Sequence, residues 1–134
     1  MPIKLETMTI RTIATFENVT NVHAVDCIIA DDYMCFLVDP EKVGLAIGKN
    51  GSTIKQLRKM FNKQIKVFGY YRDPESLVKG VIPEVIEIEQ NSGALVATLP
   101  SGEKLSIIEK NNKNIKILKE ILKRHFSIKT LKLR

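Results

Sequence analysis

Gly48-Lys49-Asn50-Gly51 is the stretch whose residue types and spacing best suit contact with a ligand. Two glycines bracketing two polar residues make a tight corner without Cβ atoms, where the backbone of a ligand can pass closely. A short apolar helix is expected before the corner and an amphipathic one after it. The N–H groups that open the second helix then point at the corner and favour an anion there. Lys49 adds a mobile cation and Asn50 a hydrogen-bonding amide, while Ile47 and Ile54 flank the turn as the floor of a groove with Lys55 and Arg58 on its rim. That set suits holding an anionic chain; it contains no nucleophile or proton-transfer pair.

Other chemistries fit poorly. Gly44 to Asn50 superficially follows a phosphate-binding loop, which would make the chain a small nucleotide-dependent enzyme. It has one residue too few between its glycines, however, and Asn50 where Ser or Thr must hold magnesium. It also follows an expected helix instead of a strand. Cys27 and Cys35 match no zinc spacing and leave half of a four-ligand set missing, so they read as reduced packing residues. His23 and His125 lie far apart in the chain, with no Cys or acidic cluster beside either. No catalytic residue, metal site or cofactor is expected. The absence of Trp and the modest count of Phe and Tyr advertise no stacking platform for bases.

The chain that must position the turn has 134 residues, 44% of them apolar and 27% charged, the composition of a soluble globular protein. No apolar run approaches membrane length, and the N-terminus carries no targeting pattern, so a cytoplasmic location away from membranes is expected. The net charge of +6 comes in blocks: −5 over residues 1–41, +8 over 42–72, −4 over 73–101 and +7 over 102–134. Two modules, each acidic first and basic second, are implied, with boundaries at 1–72 and 73–134. Runs of charge are ordinarily solvated faces, but two basic segments in so small a protein point to a polyanionic partner.

An offset of 61 residues places Ile47 to Arg58 on Ile108 to Lys119, with identity at six of twelve positions and no gap. Such internal similarity marks one supersecondary unit used twice. In the first copy, Ile10, Ile13, Ala14 and Val19 space a helix over Thr9 to Asn18. Strands Val22 to Ala30 and Tyr33 to Val38 then flank the turn Asp31-Asp32. A helix Glu41 to Ile47, started by Asp39-Pro40, ends at Gly48. Ile54, Leu57 and Phe61 stripe the next helix, and Lys63 to Tyr70 alternates as a strand. In the second copy, a helix near Pro74 to Val81 precedes strands Glu84 to Glu89 and Ala94 to Leu99 around Asn91-Ser92-Gly93. A short helix from Gly102 or Glu103, a longer one from Lys113 to Phe126 and a strand within Ser127 to Leu133 complete it.

The order helix, strand, strand, helix, GKNG turn, helix, strand resembles the type II KH domain, whose signature is GXXG. Two such modules in a chain of this length, with the wording Gly44-Leu-Ala-Ile-Gly-Lys-Asn-Gly51, are similar to archaeal NusA-like transcription termination and antitermination factors. The resemblance implies an α+β fold of two tandem modules, each a small three-stranded sheet with helices packed on one face. It implies a non-enzymatic protein that binds single-stranded RNA and acts in transcription elongation or termination through nascent RNA, with RNA polymerase as a further partner. A ribosome-assembly or RNA-processing factor is the alternative, since KH pairs serve there too. Carried over by position, Gly48, Lys49, Asn50 and Gly51 clamp the backbone of about four nucleotides. Val43, Ile47 and Ile54 then line the groove, and Lys55 and Arg58 face phosphate. The second module departs from the signature, with Glu109-Lys110-Asn111-Asn112 in place of both glycines. Weaker RNA contacts are expected there from Lys104, Lys110, Asn111, Lys113 and Lys116.

Overall fold

The structure, a computed structural model, describes residues 3–134, with side chains from Thr7 onward. Its contacts divide the chain into a first unit ending at Tyr70 and a second, Tyr71–Arg134, two residues before the break expected from the charge blocks. The fold is α+β, with one three-stranded sheet in each unit.

The first unit runs α1 (Ile3–Thr20), β1 (Ala24–Ile29), β2 (Tyr33–Val38), α2 (Val43–Ile47), α3 (Ser52–Phe61) and β3 (Gln64–Gly69). Helix α1 starts earlier and turns differently than its apolar spacing predicts. Ile10 is 67% exposed and Ala14 also faces outward, while Thr12, Phe16 and Thr20 are buried and Ile13 and Val19 pack beside them. Two overlapping stripes satisfy the same period, and the one containing Phe16 wins because its ring stacks on Phe36 with centroids 4.1 Å apart. Burial of Thr20 is made tolerable by its hydroxyl, which donates to the Phe16 carbonyl (2.8 Å) and accepts from the Val22 N–H (3.0 Å).

Strands β1 and β2 pair antiparallel around Asp31-Asp32, with a register shift between Ala24 and Asp26, and β3 lies parallel to β2. A parallel partner requires a crossover, and α2, the glycine turn and α3 supply it. The helices cover one sheet face: Ala46 and Leu57 are buried with Met34, Phe36, Val38 and Ile65. The opposite face of β2 is buried as well, at Cys35 and Leu37, which the unbroken apolar run of that strand foreshadows. Both cysteines are free thiols, and burial pushes the Cys35 thiol up.

The second unit repeats the order as α4 (Pro74–Val81), β4 (Glu87–Asn91), β5 (Ala94–Thr98), α5 (Lys104–Lys110), α6 (Asn112–Phe126) and β6 (Thr130–Leu133). Asp73 caps α4 by accepting the Ser76 N–H at 2.8 Å, and that bond holds its carboxyl below the usual range. Strand β4 begins later than expected because its register runs to Asn91, opposite Ala94, across the tight turn Ser92-Gly93. The 61-residue offset carries through the packing: α1 and α4 end at Thr20 and Val81, and Leu57 and Leu118 are both fully buried. It breaks within α6, which has 15 residues where α3 has 10. Among the described residues, no helix is long and apolar enough to cross a membrane, and no group of three or more His, Cys, Asp and Glu could hold a metal ion.

Candidate nucleic-acid interface

The approach to the turn begins at Asp39, whose carboxylate accepts the Glu41 N–H at 2.9 Å and starts a 3-10 turn, Pro40–Lys42. The single helix expected over Glu41 to Ile47 is thus this turn followed by α2. Gly48 ends α2 with φ 82 and ψ 166, a conformation essentially restricted to glycine, and its N–H donates to the Gly44 carbonyl at 3.0 Å. Asn50 and Gly51 then adopt left-handed conformations (φ 57 and 72) before α3. Asparagine is among the few residues that tolerate this region, which accounts for its place beside a glycine.

The two glycines serve different ends. A Cβ on Gly48 would meet the Thr53 hydroxyl and lie 2.8 Å from the Thr53 backbone nitrogen, so Gly48 is required by close packing of the turn on α3. At Gly51 nothing lies within 4 Å of the same position, and the bare backbone there faces open space. Lys49 and Asn50 between them are exposed.

Of the helix-opening N–H groups expected to face an anion, two are already used. Gly51 donates to the Gly48 carbonyl at 3.1 Å and Ser52 to Lys49, so these two are not free to face an anion, and side-chain cations add to what the corner can offer one. Lys49, Lys55 and Arg58 are exposed, and no ion pair engages them among the described residues. Ile47, 37% exposed, presents an apolar surface beside the turn. Val43 and Ile54 are half-buried, and both also pack on the hydrophobic core, so they belong to the scaffold as much as to a groove. Sequence reasoning passed over Leu45, exposed on α2, and Thr53, the residue against which Gly48 is fitted.

The corresponding corner of the second unit is built otherwise. Helix α5 passes into α6 with Asn111 alone between them, and no residue from Glu109 to Asn112 has positive φ. Asn111, expected as an outward contact, is instead 8% exposed: its side-chain amide donates to the Ile107 carbonyl at 2.9 Å, and its backbone carbonyl accepts the Ile115 N–H at 2.8 Å. A buried amide stays only where its polar atoms find partners, and these bonds join the two helices. Lys110 is exposed but pairs with Glu84 at 3.3 Å. Lys104, Lys113 and Lys116 remain on the surface.

Comparison with known proteins agrees with this geometry. Residues 10–72 match the KH domain family. The chain is 27% identical to a protein of Methanocaldococcus jannaschii named "Probable transcription termination protein NusA", over 97% of this chain and 74% of that one. It is 28% identical to a protein of the same name from Halococcus morrhuae, over 99% of each. The crystal structure of APE1850 superposes with a TM-score of 0.84 at 30% identity, covering 96% of this chain and 99% of that one. In order of elements, in the turn at Gly48–Gly51 and in nearly full-length similarity, the chain belongs to the NusA-like family of KH-domain proteins.

Proposed function

We propose that this protein binds single-stranded RNA and acts, without catalysis, in transcription elongation or termination by contacting the nascent transcript. The two units serve as tandem KH modules, 1–72 and 73–134, and the first supplies most of the binding energy. One observation carries the reading: the open backbone at Gly51, framed by exposed Lys49 and Asn50 and by unpaired Lys55 and Arg58, suits the close approach of a phosphodiester chain. Ile47, with the outer edges of Val43 and Ile54, supplies apolar surface for the splayed bases. The names carried by the relatives support the transcriptional assignment, and RNA polymerase is the expected protein partner.

In the second module the closed junction at Asn111 offers no such approach, so Lys104, Lys113 and Lys116 contribute diffuse attraction. The test is the double change Lys49→Asp and Asn50→Asp, which keeps both glycines and sets two carboxylates where phosphate would lie. RNA affinity falls steeply while the unfolding transition stays in place, because exposed turn substitutions cost little stability. A folded variant that binds RNA as tightly as the parent would remove the turn from the interface.

A further inference from the structure

The two units build the same corner, where the helix after the turn gives way to the last strand, and they fill it with different charges. In the first unit Asn62 ends α3 in a left-handed conformation (φ 54). Lys63 beside it donates from Nζ to the Ala30 carbonyl at 2.7 Å, at the hairpin tip that carries Asp31 and Asp32. The cation is engaged by a carbonyl, and the two residues that follow that carbonyl in the chain are acidic. In the second unit Ser127 takes the left-handed position (φ 56), and the Lys129 and Thr130 N–H groups donate to the Gly93 carbonyl at 2.8 and 3.3 Å. Here the hairpin tip is Asn91-Ser92-Gly93, which carries no charge.

Lys123, Ser127 and Lys129 line a cavity of about 490 Å³ at this corner. No ion pair engages Lys123 or Lys129 among the described residues, whereas Arg124 is held by Glu120 at 2.9 Å. Cations near a helix C-terminus ordinarily answer the negative end of its dipole. At this helix end, however, the Leu122 carbonyl already accepts both the Ser127 and the Ile128 N–H groups. Lys123, Ser127 and Lys129 therefore border one cavity, and among the described residues no carboxylate pairs with either lysine.

We propose that this corner binds a phosphodiester group of a single-stranded nucleic acid, at a place separate from the Gly48–Gly51 turn. Lys123 and Lys129 neutralise the anionic oxygens and the Ser127 hydroxyl donates to one of them. The strand is taken to be RNA on the strength of the function proposed above. On that view the second unit holds the strand by a contact that needs no glycine turn.

Oligouridylates of about four and about sixteen nucleotides are the probes, the shorter filling only the turn of the first unit. Replacing Lys123→Ala and Lys129→Ala together weakens the longer strand about tenfold at low salt and lowers its salt slope by about 0.7, the share of the one phosphate lost, while the short strand binds unchanged. Amide resonances of Ser127 and Gly93 shift when the longer strand is added. The proposal is overturned if the double variant binds the longer strand like the parent, or if Lys113→Ala with Lys116→Ala costs as much, which would mean diffuse attraction. The Lys49→Asp, Asn50→Asp variant keeps the two readings apart. It weakens both lengths if the turn is a clamp, and if it weakens neither, the clamp fails while the corner is still judged on the longer strand.

Discussion

Three glycines near the turn differ in what a methyl group would meet, and replacing each by alanine separates conformation from contact. At Gly48 the backbone (φ 82, ψ 166) lies in a region nearly closed to other residues, a cost of roughly 1–3 kcal/mol. The added Cβ would also press on Thr53, with the backbone nitrogen only 2.8 Å away, and relieving such overpacking costs about 1–3 kcal/mol more. Gly48→Ala therefore loses roughly 2–6 kcal/mol. At Gly51 the left-handed backbone (φ 72, ψ 19) costs about 1–2 kcal/mol for an L residue, and no atom within 4 Å adds to it. Gly44 sits within α2, and a Cβ there meets nothing within 4 Å, so alanine gains about 0.5–1 kcal/mol by restricting the unfolded chain. Urea unfolding followed by far-UV circular dichroism reads all three, as shifts of midpoint at constant slope. The expected order of stability is Gly44→Ala above the parent, then Gly51→Ala, then Gly48→Ala. If Gly48→Ala were no less stable than Gly51→Ala, contact with Thr53 would not be what demands the glycine. A loss of stability in Gly44→Ala would show that its bare position is structural after all.

RNA affinity measured against salt should fall linearly on logarithmic axes with a slope of about 0.7 for each phosphate contacted; a flat line would reduce the basic segments to solvated surface. A duplex of the same length should bind more weakly than the single strand, and equal binding would indicate attraction by charge alone. Asn111→Ala should cost about 0.5–1.5 kcal/mol, from the lost bond to Ile107, and leave the salt slope unchanged; a normal unfolding midpoint with weaker RNA binding would reverse that assignment. Because the Ser76 N–H lowers the folded-state pKa of Asp73, its contribution is present above the unfolded carboxylate range and fades as pH falls through the folded value. Asp73→Asn should accordingly flatten the acid limb of stability against pH, and an unaltered limb would show that this cap does not drive it.

The order of elements was readable because it rests on features that leave strong traces. Turn residues, a proline after Asp39 and another after Asp73, and the 3.6-residue stripe of α3 and α6 all survive in the structure. The 61-residue offset was readable for the same reason, since Leu57 and Leu118 occupy equivalent buried positions. What escaped were choices decided by tertiary contact. An asparagine facing solvent and one turned inward between two helices look alike in sequence, and at Asn111 it is burial, with the side-chain amide turned back on the Ile107 carbonyl one turn earlier, that separates them. The buried face of α1 was hidden because Thr12 and Thr20 lie inside while Ile10 lies outside, an inversion paid for by the hydroxyl bonds of Thr20. At the turn itself, glycine spacing revealed the corner but not that Gly51 and Ser52 spend their N–H groups on Gly48 and Lys49.

Strand β2, apolar from Tyr33 to Val38 and buried on both faces, has a consequence for the chain before it folds. Six consecutive apolar residues without charge or proline, with Tyr33, Phe36 and Val38 of high β propensity among them, make a segment prone to cross-β association when exposed, and a strand without a polar face gives little protection against pairing in the wrong register. Asp31 and Asp32 stand immediately before it, and Asp39, Pro40 and Glu41 immediately after. Charges and a proline at the borders of such a segment oppose its stacking on copies of itself. The acidic character of the N-terminal block thus has a use apart from any ligand: it keeps the most association-prone strand of the protein apart from its own kind until β1 and β3 enclose it on either side.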